Sequence, residues 1–234
     1  VAGRAGLIAV VGMVSEAKLL AASGARVIIG GGQARRLEAE LEAELEAGTA
    51  GVLSFGLCGA LDPGLGVADL VIASAVVTDS GSIPTDPAWA QRLSAGLPGS
   101  KLGRLAARDE MAPDMEAKAE LRHATGALAV DMESHVVAAL ASRQGVPFAV
   151  LRAVSDTAGQ TLPEAARVGL RADGRPDLLA VLVRLSADPR QMPALIRTGR
   201  DAGKAHRALS LAVQKMDALG FQALPAGETV ARSP

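Results

Sequence analysis

Short continuous apolar runs alternate along the chain with segments whose apolar residues recur at helical spacing. Runs at Leu7–Val11, Arg26–Ile29, 51–55, 69–77, 102–106, 127–130 and 147–153 are mostly unbroken rather than alternating, the pattern of strands covered on both faces. Helical spacing fills 16–22, Ala34–Ala47, 112–124 and Ser134–Gln144 between them. This rhythm predicts a mainly parallel sheet flanked by helices. Beyond Asp156 the strands stop, and 177–185, 193–198 and 202–219 read as helices. In the last, Ala205, Leu209, Ala212, Met216 and Leu219 share one face. No Pro/Gly/Ser-rich linker and no repeat interrupts the chain. It reads as a single α/β domain over 1–234, with a helical C-terminal extension at about 177–220.

Composition narrows the function classes. The 234 residues are 49% hydrophobic and 21% charged with net charge -1, which excludes a disordered chain and a globally basic nucleic-acid binder. Three Phe, one Trp and no Tyr leave no stacking platform for single strands. Cys58 is the only cysteine, so no internal disulfide forms and a reducing compartment is expected. His123, His135 and His206 lack metal-ligand spacing, so no metal or cofactor is expected. No apolar run approaches the ~20 residues that span a bilayer, and 1–12 lacks a signal-peptide pattern. A cytoplasmic protein is expected.

Two segments are charge-biased. In 34–48, Leu37, Leu41 and Leu45 lie among five glutamates, an amphipathic helix with a solvated acidic face. In 184–215, seven basic residues face Asp188 and Asp201 alone. Its plain reading is a solvated surface. The alternative is contact with anionic lipid at the inner face of the cytoplasmic membrane, where each basic residue contributes ~1 kcal/mol. Gly30-Gly31-Gly32 follows a strand and precedes a helix, a geometry that offers N–H groups to an anion. Neither a dinucleotide fingerprint nor a P-loop accompanies it. A second glycine turn runs from 54 through Gly56 and Gly59 to Pro63-Gly64, as turn chemistry or as close approach to a ligand.

Three acids sit where strands end: Glu16, Glu133 and Asp156. Each alone suits a helix N-terminus. Together they converge on the rim where open parallel sheets bind ligands.

The runs G-M-V-x-E-A (12–17), F-G-x-x-G-x-L (55–61), V-A-D-L-V (67–71), A-V-D-M-E-S (129–134) and L-R-A-V-S-D (151–156) resemble the purine and uridine phosphorylase superfamily over about 7–160. Its short first half, Gly-Gly-Gly-Gln turn and Arg-rich tail most resemble the hopanoid-associated phosphorylases. The resemblance implies a three-layer nucleoside phosphorylase-like fold, with a mainly parallel mixed sheet flanked by helices, and cleavage of an N-glycosidic bond. It casts Asp156 as the acid that protonates or hydrogen-bonds purine N7, which requires a proton that burial in a closed site would favour. Glu133 grips the ribose hydroxyls and stabilises developing positive charge. Met132 lines the sugar, Glu16 orients the attacking water and Arg152 lies near the nucleophile. Gly56, Gly59 and Ser155 complete the substrate-binding set. Met111 takes the place of the aromatic residue that family members often set against the base. Where relatives read T-G-S-A-G-G this chain has Leu57, which removes a phosphate-contacting hydroxyl. Water and inorganic phosphate, the latter as co-substrate, both remain open as nucleophile. Cys58, Phe55 and Phe148 read as core, and His135 as a bystander.

The leading expectation is an enzyme releasing adenine from adenosylhopane, a nucleoside-lipid substrate. The alternatives are a methylthioadenosine/S-adenosylhomocysteine nucleosidase and a nucleoside-binding module without catalysis. No nucleic-acid partner is expected; oligomers are common in the superfamily, which leaves a homodimer open for this chain.

Overall fold

The computed structural model describes residues 6–167, 174, 175 and 177–218. In chain order its elements are β1 (Leu7–Val11), α1 (Val14–Leu19), β2 (Arg26–Ile29), α2 (Ala34–Ala47), β3 (Gly51–Ala60), β4 (Leu70–Thr78), β5 (Gly81–Pro84) and α3 (Pro87–Gly96). Then come β6 (Lys101–Ala107), α4 (Met115–Thr125), β7 (Ala129–Asp131), α5 (Ser134–Gln144), β8 (Phe148–Asp156), α6 (Glu164–Arg167), α7 (Leu178–Ala187) and α8 (Met192–Ala218).

The strands form one mixed sheet in the order β2-β1-β3-β7-β6-β4-β5, with β8 joined to both β3 and β4. Five of the eight ladders are parallel, as the continuous apolar runs predict. The path β3-β7-β6-β4-β8 returns to β3, so the sheet curls closed rather than lying open. One face is covered by α2 and α5 through Leu37, Leu41, Leu45, Val137 and Leu140. The other is covered by α3 and α8 through Trp89, Leu93, Leu209 and Met216, which meet Leu53, Phe55 and Leu151 of the sheet. These layers confirm the single-sheet α/β architecture with a helical extension.

Several boundaries are corrected. The expected turn at Gly56 and Gly59 is strand: β3 runs on to Ala60 in register with β8, with a bulge between Cys58 and Gly59. A strand and a helix, β5 and α3, occupy a stretch that showed neither period. The two tail helices expected at 193–198 and 202–219 are one helix of 27 residues, α8. Its face of Ala205, Leu209, Ala212 and Met216 is buried; Leu219 lies outside the described residues. The basic side chains of 184–215 are all exposed. The glycine turn before α2 is not an open anion cradle, because Gly30 N donates to Val11 O at 2.7 Å and Gly31 N to Gly12 O at 3.1 Å.

Candidate active site

A cleft of about 160 Å³ opens beside the ends of β1, β7 and β8, and Glu16, Glu133 and Asp156 all line it. The three acids from distant stretches of sequence do share one rim. Among the described residues that line the cleft there is no lysine and no arginine.

Glu16 lies at the third position of α1 and turns back over the helix start. Its Oε2 accepts from Gly12 N at 2.9 Å and Met13 N at 2.8 Å, and its Oε1 accepts from Leu57 N at 2.9 Å. Three backbone donors therefore fix a carboxylate that is 2% exposed. Burial raises its pKa, opposed by the Arg152 charge and these N–H groups.

Glu133 is the N-cap residue of α5, just after β7. A Cβ on Gly12 would lie 2.7 Å from Glu133 Oε1, and one on Gly30 3.2 Å from its Cγ. The Gly12 and Gly30 backbones thus leave room for this side chain. Burial pushes the Glu133 carboxyl up to about 7; Arg152 opposes the shift, and the charges of Asp131 and Glu16 add to it.

Arg152 projects from β8 beneath the cleft, not into it, and is 1% exposed. Its Nη2 pairs with Asp131 Oδ2, donates to Ser54 Oγ at 2.7 Å and Ser134 Oγ at 3.2 Å, and stands 3.6 Å from Glu133 Oε2. Burial disfavours the guanidinium, but Asp131, Glu133 and Glu16 outweigh that and hold it protonated. One cation beneath the cleft thus faces three carboxylates, Asp131, Glu133 and Glu16, that line it. Gly56 is the floor: at φ 155 it has no side chain, and a Cβ would fall 2.6 Å from Arg152 Nη1 and 2.7 Å from Glu16 Oε1.

Asp156 ends β8 at the other side of the cleft. Its Oδ1 accepts from Ser155 Oγ at 2.8 Å, and its Oδ2 from Lys118 Nζ at 2.5 Å. A buried ammonium and a hydroxyl thus hold the two oxygens of this acid, which is 6% exposed.

Met111, Met132, Gly59 and Ser155 line the cleft as expected, whereas Gly56 and Arg152 lie below it. His135 does not reach it; its Nε2 pairs with Asp109 Oδ1 at 3.0 Å. Cys58 does line the cleft but is 4% exposed, and burial pushes its thiol pKa up, which makes it a poor nucleophile. Arg35, Arg36 and Arg108, basic residues that would suit phosphorolysis, do not line the cleft; Arg36 pairs with Glu40 and Arg108 with Asp79. Sequence reasoning missed Asp131 and Lys118. Asp131 stands inside the quoted A-V-D-M-E-S run, so its signal was present. Lys118 carried none beyond its place in an amphipathic helix.

The family model of the phosphorylase superfamily matches residues 3–185. A 5'-methylthioadenosine/S-adenosylhomocysteine nucleosidase of Treponema pallidum is 36% identical over 83 residues, covering 32% of this chain and 31% of that protein. The matched segment thus spans less than a third of that relative. Among solved structures, the S-adenosylhomocysteine nucleosidase of Streptococcus pyogenes in complex with 5-methylthiotubericidin superposes with TM-score 0.67 at 18% identity, over 95% of this chain and 98% of that one. The futalosine hydrolase of Helicobacter pylori superposes with TM-score 0.63 at 18% identity, over 92% and 98%. The expected kinship to hopanoid-associated phosphorylases is corrected, because the curated relative that matches is a methylthioadenosine/S-adenosylhomocysteine nucleosidase. The features that suggested otherwise, the Gly30–Gly32 turn and the Arg-rich tail, do not line the cleft. The expectation of an enzyme acting at N-glycosyl bonds is supported by the family and by a cleft that retains all three expected acids. With its model spanning most of the sequence, the chain belongs to the phosphorylase superfamily.

Proposed function

We propose that this chain hydrolyses the N-glycosidic bond of a 5′-substituted adenosine of the methylthioadenosine or S-adenosylhomocysteine type, releasing adenine. The reading follows the Treponema pallidum relative rather than the adenosylhopane expectation. The observation that carries it is the cleft's charge: Glu16, Glu133 and Asp156 line it, without a described lysine or arginine. Cleavage passes through a ribosyl cation, which such an anionic site stabilises where charge develops.

The same charge argues for water over inorganic phosphate. A phosphate dianion would enter beside Glu16 and Glu133, and Arg152, engaged by Asp131, stands behind them rather than in reach. Leu57 brings no hydroxyl to the cleft, and its N–H is held by Glu16. In this reading Glu16, held by three N–H groups, orients the attacking water. Glu133 takes the ribose hydroxyls, Asp156 the base, and Met111, Val130 and Leu162 the purine faces.

Adenine release from methylthioadenosine tests the reading. Loss of about 100-fold or more in kcat for Glu16→Gln and Asp156→Asn is expected. Wild-type rates in both variants would overturn it.

A further inference from the structure

Lys118 is the inward-facing lysine of α4 and is 1% exposed. Its Nζ donates to Asp156 Oδ2 at 2.5 Å, Thr157 O at 2.9 Å and Gln160 O at 3.0 Å. The three protons of an ammonium thus meet three acceptors. A lone buried cation is costly, so this set explains how the helix tolerates it. Asp156 also packs closely on β3, where a Cβ on Gly59 would lie 3.1 Å from the same oxygen, Oδ2. Lys118 does not line the cleft. Whatever it does there, it does through Asp156.

We propose that Lys118 is a positioning residue that holds Asp156 against the base and supplies the proton that adenine takes as it leaves. The inference rests on the glycosidase reading given above. As the glycosidic bond breaks, its electron pair moves onto the purine. One proton passes from Nζ to the Asp156 carboxylate, and one from that carboxyl to purine N7. Adenine departs neutral, and Asp156 is again a carboxylate. Lys118 is left as an amine whose two remaining N–H groups still serve Thr157 O and Gln160 O. Solvent returns the proton after product release. The two carbonyls make this economical, because neither acceptor loses its donor during transfer.

The test compares two substrates that differ only in the need for that proton. Methylthioadenosine needs it; the p-nitrophenyl riboside with the same 5′-methylthio group does not, because nitrophenolate leaves as a stable anion. In Lys118→Met, kcat for methylthioadenosine is expected to fall about 100-fold, while kcat for the nitrophenyl riboside stays within about threefold. Equal losses on both substrates would make Lys118 merely structural and overturn the inference, as would an undiminished rate on methylthioadenosine. If Lys118→Met does not fold, Lys118→Arg carries the same comparison, with the same outcomes. A wild-type protein that turns over neither substrate would instead sink the glycosidase reading.

Discussion

Arg152 and Asp131 form an ion pair in which each side chain is 1% exposed. Breaking such a pair from one side leaves a buried charge without its partner, which costs about 3–5 kcal/mol. Here Arg152→Met would also leave Glu16 and Glu133 without the cation that opposes their burial. The variant is therefore expected to melt on the order of 10 °C below the wild type. Calorimetry within a degree or two of wild type would show that the cluster does not depend on Arg152.

Two glycines separate function from stability. Gly56 combines φ 155 with a Cβ position 2.6 Å from Arg152 Nη1, so Gly56→Ala adds backbone strain of about 1–3 kcal/mol to a clash. Gly12 has no such φ, and its Cβ would meet only the end of Glu133, at 2.7 Å. Gly12→Ala is expected to keep the wild-type melting temperature to within a few degrees while raising KM about tenfold by displacing Glu133. The comparison needs thermal melts and steady-state kinetics on both variants; a stable Gly56→Ala protein would refute the strain argument.

The strand-and-helix rhythm was legible because most β strands are covered on both faces and the α2, α5 and α8 stripes keep helical spacing. The missed elements lacked those cues. β5 is only four residues, Gly81–Pro84, one of them Pro. α3 did announce its start: Asp86 caps it by accepting from Trp89 N at 2.7 Å, with Pro87 in its first turn. At the site, the three acids were readable as strand-end carboxylates matching family motifs. Their partners were not. Which cation faces which acid depends on how the sheet curls, and that brings Lys118 from α4 onto Asp156 and turns Arg152 beneath the floor rather than into the cleft.

The raised Glu133 pKa has a sign that can be tested. In the unfolded chain this carboxyl titrates near 4.5, the ordinary value for a glutamate, and in the folded protein at about 7. Between those values the folded state holds the extra proton, so stability falls as pH rises through the window. Below about 4.5 the contribution is complete, and above about 7 it is gone. Glu133→Gln stays neutral throughout. Its melting temperature relative to wild type should climb from pH 5 to pH 8; a constant difference would contradict burial as the dominant cause.

If the ionised Glu133 is the form that takes the ribose hydroxyls, kcat/KM should rise across the same window, since that ratio reports the free enzyme. An acidic limb with a midpoint near 7 that disappears in Glu133→Gln is expected. A limb that persists in the variant would assign the titration to another group.

The most direct measurement of the central claim is the fate of solvent oxygen when methylthioadenosine is turned over in ¹⁸O-water, with and without phosphate. The account predicts adenine release at the same rate in both, with one ¹⁸O atom in the 5-methylthioribose product at the carbon that carried the base. Adenine release only in the presence of phosphate, with a pentose 1-phosphate as product, would contradict it.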